Sequence, residues 1–109
     1  MELGLKDRVV VVTGASKGIG LACVHAFAAE GARVAMISRS RANLDAALAA
    51  MPPSAHRPVA VAADLSRADE AARAIAEAGR ALGPIDVLVN SAGAAKRHPP
   101  DELKAQAWH

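Results

Sequence analysis

Apolar residues fall into two alternating spacings along this chain. Val9-Val10-Val11-Val12 is a continuous β-branched run between polar Arg8 and Thr13-Gly14, the pattern of a short strand covered on both faces, as in a parallel sheet. Ile19, Ala22, Cys23, Ala26 and Phe27 then recur at steps of three and four before Gly31, which predicts a helix with those residues inward. Residues 33–38 hold a second buried strand, Val34-Ala35-Met36-Ile37. Leu44, Ala47, Leu48 and Met51 share one face of a predicted helix over 41–51, stopped by Pro52-Pro53. A third, short strand is predicted over 58–62. Ser66 is the predicted N-cap of a helix that turns Ala68, Ala71, Ala72, Ile75, Gly79 and Leu82 inward and ends at Gly83-Pro84. Residues 85–89 read as a fourth strand, 94–100 as a loop, and Asp101 opens a further helix.

Strands alternating with helices predict an α/β fold. The expectation is a Rossmann-type doubly wound parallel sheet with right-handed crossovers, helices on both faces and strand order 3-2-1-4. Residues 1–109 are expected to form one domain, since 109 residues suffice for one and not for two. Ligands in such sheets bind outside the carboxyl ends of the strands, where the strand order reverses.

Composition narrows the function classes. Hydrophobic residues make up 52% and charged residues 22%, a globular balance. Much of the apolar share is alanine, so helices should lie close to the sheet. The net charge of +2 comes with no run of like charges, Tyr is absent, and Phe27 and Trp108 are the aromatics. No nucleic-acid partner is therefore expected. No segment has the length of a membrane span or a signal sequence. Cys23 is the single cysteine, which excludes an intrachain disulfide and fits a reducing cytoplasm. His25, His56, His98 and His109 include no pair at metal-ligand spacing, so no metal site is expected.

Candidate chemistry begins after the first strand, in Thr13-Gly14-Ala15-Ser16-Lys17-Gly18-Ile19-Gly20. A glycine-rich turn between a strand and a helix can present the helix N-terminus to a phosphate. Its spacing, G-x-x-x-G-x-G, differs from both the common dinucleotide pattern and the P-loop. By itself such a turn serves chain reversal or phosphate binding. Gly14 allows backbone angles closed to other residues, Gly18 a close approach of ligand, and Gly20 tight packing of the helix on the sheet.

Together with two later motifs, this turn resembles that of the short-chain dehydrogenase/reductase family, T-G-x-x-x-G-[IL]-G. Asp64-Leu65, after the third strand, matches the acidic residue that contacts adenine in that family. Asn90-Ser91-Ala92-Gly93 matches its N-N-A-G, with Ser91 in place of the second Asn. The resemblance covers essentially the whole chain. It implies an oxidoreductase that passes hydride between a nicotinamide dinucleotide and a carbonyl or alcohol substrate, often a homotetramer or homodimer. The implied cofactor residues are Gly14, Ser16, Lys17, Gly18, Ile19, Gly20, Ser38, Arg39, Asp64, Leu65, Asn90, Ala92 and Gly93. A carboxylate at Asp64 also suits a helix cap or loop, and Asn90 also suits a structural bridge between strand ends.

Arg39 follows Gly20 at the spacing where NAD enzymes carry an acidic residue for the ribose 2′-OH. A cation there suits a 2′-phosphate. Lys17 is a second cation, and Ser38 can add a hydroxyl. Charge-assisted contacts of this kind would prefer NADP(H) by on the order of a hundredfold. Arg41 is expected to face water.

The family's catalytic Tyr-x-x-x-Lys does not occur in residues 1–109, which hold no Tyr, so no catalytic residue is assigned. Either these residues open a longer reductase or they form a short, non-catalytic dinucleotide-binding module. Residues 1–109 alone are expected to be inactive. Cys23 and Trp108 are expected to pack, and Lys96-Arg97-His98 to be solvated.

Overall fold

The computed structural model describes residues 4–91. The expectations for Ala92 and Gly93, the loop 94–100, the helix from Asp101 and the packing of Trp108 lie outside these residues. Strands β1 (Val9–Thr13), β2 (Arg33–Ser38), β3 (Val59–Ala62) and β4 (Val87–Asn90) alternate with helices α1 (Gly18–Ala29), α2 (Arg41–Ala49) and α3 (Ala68–Leu82). All pairings are parallel and the order is β3-β2-β1-β4, the Rossmann arrangement the alternation predicts.

The sheet is covered on both faces. On one, Val10, Val12, Val34 and Met36 pack against Val24 and Ala28 of α1 and Leu44 and Ala47 of α2. On the other, Val11, Ala35, Ile37 and Val61 pack against Ala74 and Ala78 of α3. This double cover explains why β1 and most of β2 are fully buried. At one edge of the sheet formed by the described residues, β4 alternates between half-buried and exposed positions, and Leu88 is 40% exposed. Its amino end is tied to β1 through Asp86: the Asp86 N–H donates to the Val9 carbonyl, and the Val9 N–H donates to Asp86 Oδ2, both at 2.9 Å.

Helix phase departs from the expectation in two places. The buried residues of α1 are Gly20, Val24 and Ala28, while Ala22 and Ala26 are exposed and Ile19 is 71% exposed; Cys23 and Phe27, half-buried, pack against the core as expected. Gly20 sets this phase, because a Cβ there would overlap the Gly14 carbonyl oxygen and sit 2.6 Å from Ser91 Oγ. The side of the helix that touches the strand end must therefore be the glycine side.

In α3, Ala74 and Ala78 are buried, Ala71, Gly79 and Leu82 are partly so, and Ala68, Ala72 and Ile75 are exposed. Alanine allows the helix to lie close on the sheet, and Glu70, Arg73 and Glu77 use the flank nearest β3 for hydrogen bonds. Ser66 is not the N-cap. Arg67 holds that position, without a side-chain cap bond, because the Ser66 hydroxyl donates to Asp64 Oδ1 instead. Helix α2 does carry a side-chain cap: Ser40 Oγ accepts from the Asn43 N–H at 3.1 Å. It ends at Ala49, two residues short of the expected end.

Candidate functional site

The carboxyl ends of all four strands lie at one edge of the sheet. Thr13 is in register with Ile37 and with Asn90, and Ser38 with Ala62. The glycine turn leaves from this edge. Gly14 and Gly18 have φ of 60° and 61°, left-handed angles that favour glycine. The turn is pinned to β2 by a 3.1 Å bond from the Ala15 N–H to the Ile37 carbonyl.

Beyond the turn, α1 begins with no acidic residue in its first turn, and its N-cap, Lys17, makes no side-chain cap bond. The first-turn N–H groups and the positive end of the helix dipole therefore face outward uncapped by side chain, an arrangement that suits an anion. A Cβ built on Gly18 meets nothing within 4 Å, whereas one on Gly20 is blocked by backbone. Gly18 thus opens onto a cradle and Gly20 closes the helix onto the strand. An open helix N-terminus of this kind can receive an anion.

Ser16 Oγ and Ser38 Oγ lie 3.0 Å apart, joining the glycine turn to the end of β2. Lys17 and Arg39 flank this hydroxyl pair in sequence. Both are exposed, and neither makes an ion pair or hydrogen bond through its side chain among the described residues. Arg41 is also exposed, pairing with Asp45 at 3.2 Å and donating to the Ala60 carbonyl.

Asp64 stands past the end of β3. Its Oδ1 accepts from the Ser66 hydroxyl at 2.7 Å and the Ser66 N–H at 3.0 Å, so the loop-carboxylate role is realised in the fold. These two bonds, with the charges of Arg39 and Arg67, hold its carboxyl below the ordinary value of 3.8. Leu65 is half-buried against the core beneath α3.

Asn90 takes the bridging role: its Oδ1 accepts a 2.8 Å bond from Thr13 Oγ1. The neighbouring Ser91 hydroxyl donates to the Thr13 carbonyl. Ser91 therefore grips the start of the glycine turn, in the position where the resembling family has Asn. Ala92 and Gly93 lie outside the described residues.

Two features escape the sequence reading. One is Thr13, whose side chain joins β1 to β4. The other is a group on α3, where Arg73 donates to Glu70, Glu77 and the Ala62 carbonyl, and Glu70 accepts from the Asp64 N–H. The spacing of Glu70, Arg73 and Glu77 by three and four residues is a visible signal for helical ion pairs, but nothing in it points to the strand. Among the described residues, no group of three or more side chains could hold a metal ion, and no helix is long and apolar enough to cross a membrane.

Comparison with known proteins agrees with this geometry. The family model for the short chain dehydrogenase matches residues 8–109. D-threitol dehydrogenase of Mycolicibacterium smegmatis is 40% identical over 110 residues, covering 98% of this chain and 41% of that protein. Human L-xylulose reductase is 42% identical over 108 residues, covering 99% and 41%. The crystal structure of L-sorbose reductase from Gluconobacter frateurii, complexed with NADPH and L-sorbose, superposes with a TM-score of 0.81 at 31% identity, covering 94% of this chain and 39% of that one. The chain spans 41% of the length of those two curated relatives.

Proposed function

The chain belongs to the short chain dehydrogenase family, and on that premise we propose that it is the cofactor-binding portion of an NADP(H)-dependent oxidoreductase. Its substrate is a carbonyl or alcohol group on a small polyhydroxylated molecule. Residues 1–109 form a single Rossmann domain portion that binds the dinucleotide and does not itself catalyse.

The observation that carries the cofactor reading is Arg39, an exposed cation directly after β2, where a ribose 2′-OH would call for a carboxylate. Lys17 and the Ser16–Ser38 hydroxyl pair support it from across the turn. The Gly18 cradle and the start of α1 take the pyrophosphate, and Ile19 lies exposed beside them. Asp64 and the turn it heads take the adenine, with Leu65 beneath. Asn90, with Ala92 and Gly93 following in sequence, borders the adenosine ribose. The nicotinamide supplies or accepts the hydride when bound, and these residues hold and orient it. The substrate class is supported by relatives named D-threitol dehydrogenase and galactitol 2-dehydrogenase, and by the L-sorbose reductase complex. In this reading the protein works in the cytoplasm, which the lone Cys23 supports, and as a homodimer or homotetramer.

Titrating the protein with NADP⁺ and NAD⁺ tests the assignment. NADP⁺ is expected to bind tighter by about tenfold or more. Equal or tighter binding of NAD⁺ overturns it.

A further inference from the structure

We propose that Glu70 and Arg73 are positioning residues for the adenine end of the cofactor, acting through the Asp64 turn. The proposal rests on the reading that Asp64 faces adenine.

Arg73 donates from Nη2 to the Ala62 carbonyl at 2.8 Å, a contact from α3 to the last residue of β3. The same guanidinium holds Glu70, with Nε on Oε2 at 3.1 Å and Nη2 on Oε1 at 3.2 Å. Glu70 Oε1 in turn accepts from the Asp64 N–H at 3.3 Å. One bidentate pair therefore grips residues 62–64 by a carbonyl at one end and an N–H at the other. Glu77 fixes the far side of the guanidinium at 2.8 Å, which restricts the arginine to this pose. From the opposite direction, the Ala63 N–H donates to the Ser38 carbonyl at 2.9 Å, next to Arg39.

An acidic residue at the start of a helix is ordinarily explained by the helix dipole. Asp69 already stands in that first turn, paired with Arg67 at 3.4 Å. The dipole does not require Glu70 to reach back to the Asp64 backbone, nor Arg73 to reach a strand carbonyl. A solvated pair on a helix surface would make neither contact. The consequence of both is a fixed backbone at Asp64, and so a fixed direction for its carboxylate.

The test uses the intact protein and two probes, adenosine 2′,5′-bisphosphate for the adenine end and nicotinamide mononucleotide for the other, with binding followed by calorimetry. Glu70→Ala is expected to weaken the bisphosphate by about tenfold, the effect of losing one hydrogen bond that holds the turn. The mononucleotide affinity should not change. Glu70→Gln keeps an oxygen for the Asp64 N–H but turns an amide N–H toward Arg73 Nε, so it should recover part of the loss. In an Asp64→Ala background, Glu70→Ala should cost nothing further, because the residue acts through Asp64. Glu70→Ala decides the matter even where Arg73→Ala does not fold. Unchanged bisphosphate binding in Glu70→Ala, an equal loss for both probes, or additive losses with Asp64→Ala would each overturn the proposal alone. Unchanged binding in Asp64→Ala would overturn the reading of Asp64 itself, and this proposal with it.

Discussion

Thr13 Oγ1 donates a 2.8 Å hydrogen bond to Asn90 Oδ1 across the boundary between β1 and β4. The two residues are register partners at the carboxyl ends of their strands. Thr13 is 6% exposed, and the Ser91 hydroxyl donates to its carbonyl. The strand order reverses at this boundary, so the bond secures the sheet at the point where folds of this kind bind ligands. Asn90→Ala is expected to lower stability by about 1 kcal/mol, the ordinary net worth of such a bond. A double-mutant cycle with Thr13→Val, read by chemical denaturation, should return a coupling of about 0.5–1.5 kcal/mol. Strict additivity would mean that the bond contributes nothing.

Gly18 and Gly20 differ although they stand two residues apart. Alanine at Gly18 meets open space and suffers only the strain of φ 61°, about 1–2 kcal/mol. Alanine at Gly20 collides with the Gly14 carbonyl and with Ser91 Oγ, which α1 can relieve only by moving off the turn. Its cost should be at least about 1–3 kcal/mol, with loss of dinucleotide binding. Thermal melts of Gly18→Ala and Gly20→Ala should rank the two in that order, while cofactor titration should show weaker binding in both, since a Cβ on Gly18 would enter the proposed pyrophosphate cradle.

On the proposed NADP(H) reading, Arg39→Asp should erase the cofactor preference or turn it toward NAD⁺. The change places a carboxylate where a 2′-phosphate would lie and offers an acceptor to a 2′-OH. The ratio of NADP⁺ to NAD⁺ dissociation constants should move toward NAD⁺ by on the order of a hundredfold. An unmoved ratio would show Arg39 to be only a solvated charge.

Asp64 titrates below its ordinary value of 3.8, chiefly because the Ser66 hydroxyl and then the Ser66 N–H donate to it. A carboxyl whose value falls on folding stabilises the fold above the unfolded value and ceases to do so as pH drops through the folded one. Ser66→Ala should therefore raise the Asp64 titration toward 3.8 in a carboxyl NMR experiment. The stability gap between wild type and variant should be present at neutral pH and close as the pH falls below that value.

Much of this protein was legible in the order of its residues. The apolar runs at Val9 and Val34, the helical spacing after Ser40 and the turns at strand ends are local signals, and parallel connectivity then permits few sheet orders. Connectivity also explains why Gly14, Ser38, Asp64 and Asn90 could be assigned to one edge in advance, since each follows a strand. The facing of α1 and α3 was not legible. Spacing by three and four sets a helix, but its rotation depends on what it meets: the Gly14 carbonyl against Gly20, and the sheet against Ala74 and Ala78. Ser66 reads locally as a cap, yet the fold gives its hydroxyl to Asp64. The sequence by itself determined the elements, their order and the edge that carries the site. The tertiary structure decided which groups meet there, Thr13 with Asn90 and Arg73 with the Ala62 carbonyl, because partners 77 and 11 residues apart are joined only by sheet register and helix packing.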